Sequence, residues 1–158
     1  MTDARFEDGE DRPLHLMATD ADDLKVIAAL VQDSIFPITE MSFDRRTRRF
    51  ALMLNRFRWE DAEAARRAGR GVERVRAVLL VQDVLAARTQ GIDRRDRDTI
   101  LSLLSVEFQP AAEGAGTVVL TLAGDGAIAL EVEALDMALT DVSRPYLAPS
   151  GKVPSHPS

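Results

Sequence analysis

Residues 48–59, Arg-Arg-Phe-Ala-Leu-Met-Leu-Asn-Arg-Phe-Arg-Trp, carry the pattern that most restricts the fold. In an extended chain Phe50, Leu52 and Leu54 share one face, and Ala51, Met53, Phe57 and Trp59 take the other. Apolar groups on both faces predict a strand covered on both sides. Ser34 to Phe43 reads as its partner strand, joined through the turn Asp44-Arg45-Arg46-Thr47. A chain committed to such a hairpin must build a sheet and find further layers to cover it.

The rest of the sequence supplies candidates. Leu14 to Met17 reads as a short strand, followed by a helix over about 21–33. Its apolar positions Leu24, Ile27, Ala28 and Val31 follow helical spacing, Asp20 suits the cap, and Pro37 forbids continuation. Residues 60–71 read as a charged loop or frayed helical turn ended by Gly69 and Gly71. Val72 to Arg88 is a long strand. Residues 94–104 pull both ways: Ile100, Leu103 and Leu104 share a helical face behind Asp93, while Ile100, Ser102, Leu104, Val106 and Phe108 alternate as a strand would. The helix is the expectation there, with a strand after it to Gln109. Thr117 to Ala123 and Ala127 to Leu135 form the clearest hairpin, because Gly124-Asp125-Gly126 permits a tight turn with positive φ. Its inner face is read as Ile128, Leu130, Val132 and Ala134. One more apolar element, of open type, spans 135–142.

The expected fold is therefore α+β, a mostly antiparallel bent sheet or half-barrel with two helices closing it. The element order hints at a duplicated strand–helix–strand–strand unit, 14–59 and 72–135. The expected organisation is a flexible acidic arm at 1–12, one domain at 13–146, and a Pro- and Ser-rich flexible tail at 147–158.

Several function classes are set aside by composition. Without a cysteine there are no disulfides, thiolate zinc sites or cysteine nucleophiles. His15 and His156 are too few and too far apart for a histidine metal centre, so no metal and no cofactor is expected. Neither a phosphate-cradling glycine loop nor a nucleophile elbow occurs. No apolar run is long enough for a bilayer and the acidic start is unlike a secretory signal, so the expectation is a cytoplasmic protein with no membrane partner.

Charge is unevenly spread. Residues 44–97 hold fifteen of the eighteen arginines against eight acids, and the remainder is strongly acidic. Such segregation can steer an anionic partner, and it can equally let the basic segment bind the protein's own acidic half. The candidate partner-binding residues are Arg45, Arg49, Asn55, Arg56, Arg58 and Trp59, since guanidinium groups beside an aromatic can grip a carboxylate or phosphate. The other reading has Phe57 and Trp59 filling core while the arginines meet Glu60, Asp61 or acidic neighbours. Nucleic acid is disfavoured by a pI near 5.0, two lysines and few aromatics.

The run from Arg48 to Asp61 also resembles the most distinctive segment of a small alphaproteobacterial family catalogued as a domain of unknown function. Similar stretches include Leu14 to Val31, Gly91-Ile92-Asp93, Ile100 to Phe108 and Gly124-Asp125-Gly126, so the resemblance covers about residues 14–142. It implies a bacterial cytosolic protein and brings no activity. The functional expectation is a non-enzymatic binding or interaction module with an arginine-rich face for an anionic ligand or protein partner. The alternatives are a metal-independent enzyme using carboxylates and arginines, and a weak RNA binder. Exposed strand edges also leave a symmetric homodimer open.

Overall fold

The computed structural model describes residues 13–93 and 95–147. The proposed acidic arm, and all of the proposed tail except Leu147, lie outside these residues. The order is β1 (His15–Ala18), α1 (Ala21–Val31), β2 (Ile35–Pro37), β3 (Met41–Asp44), β4 (Arg49–Phe57), α2 (Ala62–Arg67), β5 (Glu73–Val81), β6 (Val84–Gln90), β7 (Ile100–Pro110), β8 (Gly116–Leu122), β9 (Ala127–Val132), β10 (Met137–Asp141) and β11 (Tyr146–Leu147). Every strand pair is antiparallel. The fold is α+β, as the sequence predicts, and the bent sheet is open rather than closed.

The hydrogen-bonded path runs β1-β10-β5-β4-β2-β7-β8-β9-β6, with β3 added beside β4 and β11 beside β5. Two stretches of chain carry the bend. Residues 35–44 pair with β7 and β4 through β2, make a single 3-10 turn at Ile38–Glu40, and continue along β4 as β3. Residues 73–90 pair with β4 as β5, pass through Asp83 at φ 58°, and then pair with β9 as β6. The two layers so formed enclose one core that includes Leu52, Leu79, Leu103, Leu120, Ile128 and Leu139.

Helix α1 closes one side. The Asp20 carboxylate accepts from the Asp23 amide at 2.8 Å, and Leu24, Ile27 and Val31 are buried. The helix stops at Val31, two residues short of the expected end, because Asp33 turns into positive φ and donates its amide to Leu103 O. The predicted hairpin forms as β8 and β9, with Gly124 at φ 81° and Asp125 at φ 70°. It ends earlier than expected: β9 stops at Val132, and Ala134 is exposed. The open element at 135–142 is β10.

Several expectations need correction. The long strand expected over Val72 to Arg88 is two, β5 and β6, because the chain turns at Asp83, and the strand expected over Ser34 to Phe43 is β2 and β3, parted by the 3-10 turn. The helix expected at 94–104 does not form over its described residues: 95–99 form turns and 100–110 form β7. The strand won because Leu101, Leu103, Val106 and Phe108 can all face the core across a register shift between Leu103 and Ser105. Such a bulge breaks strict alternation, so Leu104 faces outward. Without that helix the proposed duplication disappears. Finally, only one face of β4 is fully covered. Phe50, Leu52 and Leu54 are buried, whereas Ala51, Met53 and Asn55 are half-buried. No helix among the described residues is long and apolar enough to cross a membrane.

Candidate functional site

Parity along β4 decides where the arginines go. Arg56 shares the face of Phe50, Leu52 and Leu54, and its side chain is completely buried. Its five donors are all used. Nε donates to Asp141 Oδ1 at 3.0 Å, and Nη2 donates to Asp141 Oδ2 at 3.0 Å and to Glu60 Oε2 at 2.7 Å. Nη1 donates to Glu60 Oε1 at 2.8 Å and to the Phe57 carbonyl at 3.1 Å. Asp141 Oδ2 also accepts from the Leu14 amide at 3.2 Å, so this one carboxylate links β4, β10 and the start of β1.

The electrostatics follow from that geometry. Burial works to lower the Arg56 pKa, but the hydrogen bonds and charges of Glu60 and Asp141 outweigh it and raise it, so the guanidinium stays charged. Burial works to raise the Glu60 pKa, but the hydrogen bond and charge of Arg56 win and lower it.

Arg58 is likewise enclosed, donating to Glu73 at 2.6 Å with Asp61 at 3.6 Å. Arg70 extends this network to Asp61 at 2.8 Å. Trp59 sits in the 3-10 turn after β4, where its indole N–H donates to Gln32 O at 2.9 Å and its ring lies 5.2 Å from that of Phe57. Arg74 covers the Phe57 ring at 4.6 Å. Asn55 accepts from the Tyr146 hydroxyl at 3.0 Å. An exterior arginine face built on Arg56 and Arg58 is therefore corrected: both point inward, and both meet carboxylates. These four candidates, Asn55, Arg56, Arg58 and Trp59, tie strands, turn and α1 together.

Arg45 and Arg49 are different. They lie exposed at the turn between β3 and β4, Arg45 within it and Arg49 at the first position of β4, with Arg46 and Arg48. The Asp44 carboxylate is committed to that turn, accepting from the amides of Arg46 at 3.0 Å and Thr47 at 3.3 Å. Arg48 meets Glu133 at 3.1 Å, while Arg45, Arg46 and Arg49 form no ion pair with any described residue. Part of the charge segregation is neutralised inside the molecule, since Arg56–Asp141, Arg48–Glu133 and Arg88–Glu131 each join the basic segment to the acidic remainder.

Beside this turn lies a cleft that the sequence reading missed. Two overlapping hollows of about 210 and 310 Å³ open between β3 and β6, sharing Phe43, Arg45 and Ala87. Met41 and Phe50 line one, and Arg48 and Leu85 the other. A separate apolar groove of about 330 Å³ runs between α1 and β7, with Lys25 and Glu107 at its rim. Among the described residues, no cluster of three or more His, Asp or Glu is placed to hold a metal ion.

The profile of a family described as protein of unknown function, DUF2948, matches residues 14–156. The chain belongs to the DUF2948 family. No curated protein and no solved structure matches it. The family's profile spans every element that builds the Arg56 network and the β3–β6 cleft.

Proposed function

We propose that this DUF2948 member is a non-enzymatic interaction module that meets an anionic partner through the turn between β3 and β4. One observation carries the reading. Arg45, Arg46 and Arg49 are three exposed cations on one tight turn without a carboxylate partner among the described residues, whereas Arg56 and Arg58, a few positions on, are consumed by carboxylates. Clustered unopposed charge raises the local concentration of an anionic partner and speeds encounter. An enzyme run on carboxylates and arginines needs an acid held protonated near neutral pH, and Glu60 is pushed the opposite way.

The test is fluorescence anisotropy of labelled oligoglutamate against the full chain at several salt concentrations. Binding should weaken as salt rises. Arg45→Glu, Arg46→Glu and Arg49→Glu together should cost about tenfold or more in affinity, the loss of roughly 1.4 kcal/mol. No binding at low salt, or equal binding by the triple variant, refutes the reading. Tighter binding of an RNA oligonucleotide of equal charge replaces it with a nucleic-acid face.

A further inference from the structure

Strand β6 hydrogen-bonds to β9 along one edge; along the other, among the described residues, no strand pairs, and the one backbone hydrogen bond runs from the Val84 amide to Arg48 O at 2.9 Å. Among the described residues strand β3 pairs only with β4. In an antiparallel ladder alternate residues aim their backbone N–H and C=O groups away from the partner, so both strands present unpaired groups. The β3–β6 cleft therefore lies beside two open backbone edges, with Met41, Phe43, Phe50 and Ala87 as apolar lining and Arg45 at its mouth.

Natural edge strands are usually blunted by charge, proline or a covering element. The first four residues of β6, Val84-Leu85-Ala86-Ala87, carry neither charge nor proline; Leu85, at the register shift between Val84 and Ala86, is 51% exposed, and the regular part of the edge begins at Ala86. The opposite end of the sheet path, β1, is only four residues long and has α1 packed against it. The open edge at β6 thus coincides with a cleft of mixed lining, Phe43 and Ala87 beside Ser42 and Arg45, and with the exposed arginines of the turn.

We infer that β6 is a strand-addition site for an extended acidic segment of a protein partner. The inference rests on the reading of the arginine turn and specifies how the partner binds. Side chains of an added strand alternate between two faces. One set enters the cleft over Phe43 and Ala87. The other set, carboxylates, meets the turn's exposed arginines Arg45, Arg46 and Arg49. Backbone pairing supplies affinity without sequence dependence, and the cleft and the charges select an alternating acidic–apolar segment.

A labelled alternating Glu-Val peptide long enough to span β6 tests this, beside the same peptide N-methylated at alternate residues. The parent should bind, and N-methylation should weaken it about tenfold or more, because each lost backbone hydrogen bond is worth about 1 kcal/mol. Hydrogen exchange should slow on binding at those amides of residues 85–90 that do not bond to β9. Ala87→Trp fills the cleft and should weaken the Glu-Val peptide about tenfold while sparing oligoglutamate. Equal binding of the two peptides, or protection away from β6, with oligoglutamate still bound, overturns strand addition and leaves the arginine-turn reading standing. If neither peptide nor oligoglutamate binds, both readings fall. A dimer in sedimentation whose outward-facing β6 amides, those that do not bond to β9, are already protected before peptide is added also overturns the inference, because the edge is then taken by a second copy.

Discussion

Asp141→Asn keeps the shape of the buried carboxylate and removes its charge. In the folded chain Asp141 is almost fully buried and takes two of the five Arg56 donors. The asparagine amide nitrogen would face a guanidinium N–H, donor against donor, and half of the charge compensation of a buried cation would be gone. Glu60 would remain, but its side chain is 33% exposed and it approaches from the other side of the guanidinium. Breaking a buried ion pair by removing one partner costs about 3–5 kcal/mol. For a chain of this size such a loss lowers Tm by roughly 10 °C. Urea unfolding followed by Trp59 fluorescence measures it, since Trp59 lies in the turn that carries Glu60. The reasoning also fixes a coupling. On an Arg56→Met background no buried cation is left to strand, so Asp141→Asn should cost about 1–3 kcal/mol less than in the parent chain. A parent loss below about 1 kcal/mol, the size of an exposed pair, would mean that the guanidinium is hydrated and that the network does not hold the sheet together.

Other expectations follow from single features. Glu60→Gln should destabilise less than Asp141→Asn and should flatten the acid limb of stability. The folded Glu60 pKa lies below its ordinary 4.5, so its contribution is complete above that value and is lost as pH falls through the lowered one. Unfolding free energies measured across acidic pH for both chains check this. Gly116→Ala would place a methyl 2.5 Å from Gln109 O and 2.6 Å from the Phe108 ring, and should cost about 2 kcal/mol or more in urea unfolding. Trp59→Phe leaves the Gln32 carbonyl without its donor and should cost about 1 kcal/mol. The triple arginine-to-glutamate variant of the turn should change stability by less than about 0.5 kcal/mol per site, since those side chains are exposed and without ion pairs among the described residues.

Local chemistry was readable in the sequence where one element decides its own structure. Asp20 and the Leu24–Ile27–Val31 spacing specify α1, and Gly124-Asp125-Gly126 specifies the β8–β9 turn, with no outside help. Residues 94–104 carry helical spacing and interrupted alternation together, so the local pattern alone does not decide between them. Pairing with β2 and β8, which no local pattern encodes, settled the conflict in favour of the strand. The inward aim of Arg56 was already present in its shared parity with Leu52 and Leu54. Its partner Asp141 lies 85 residues away, and distant charge pairing leaves no periodic signal. The β3–β6 cleft is less legible still, since it exists only where two strands from different layers fail to meet.

Strand β10 lies between β1 and β5, and its last residue fastens both the first strand and Arg56. A ribosome therefore releases nearly the whole domain before the strand that joins β1 to the rest of the sheet can be laid in. Until residue 141 emerges, the inner flanks of β1 and β5 stand uncovered, and an early segment must wait for a late one. Synthesis of this chain thus passes through a window in which chaperone capture or mispairing competes with completion.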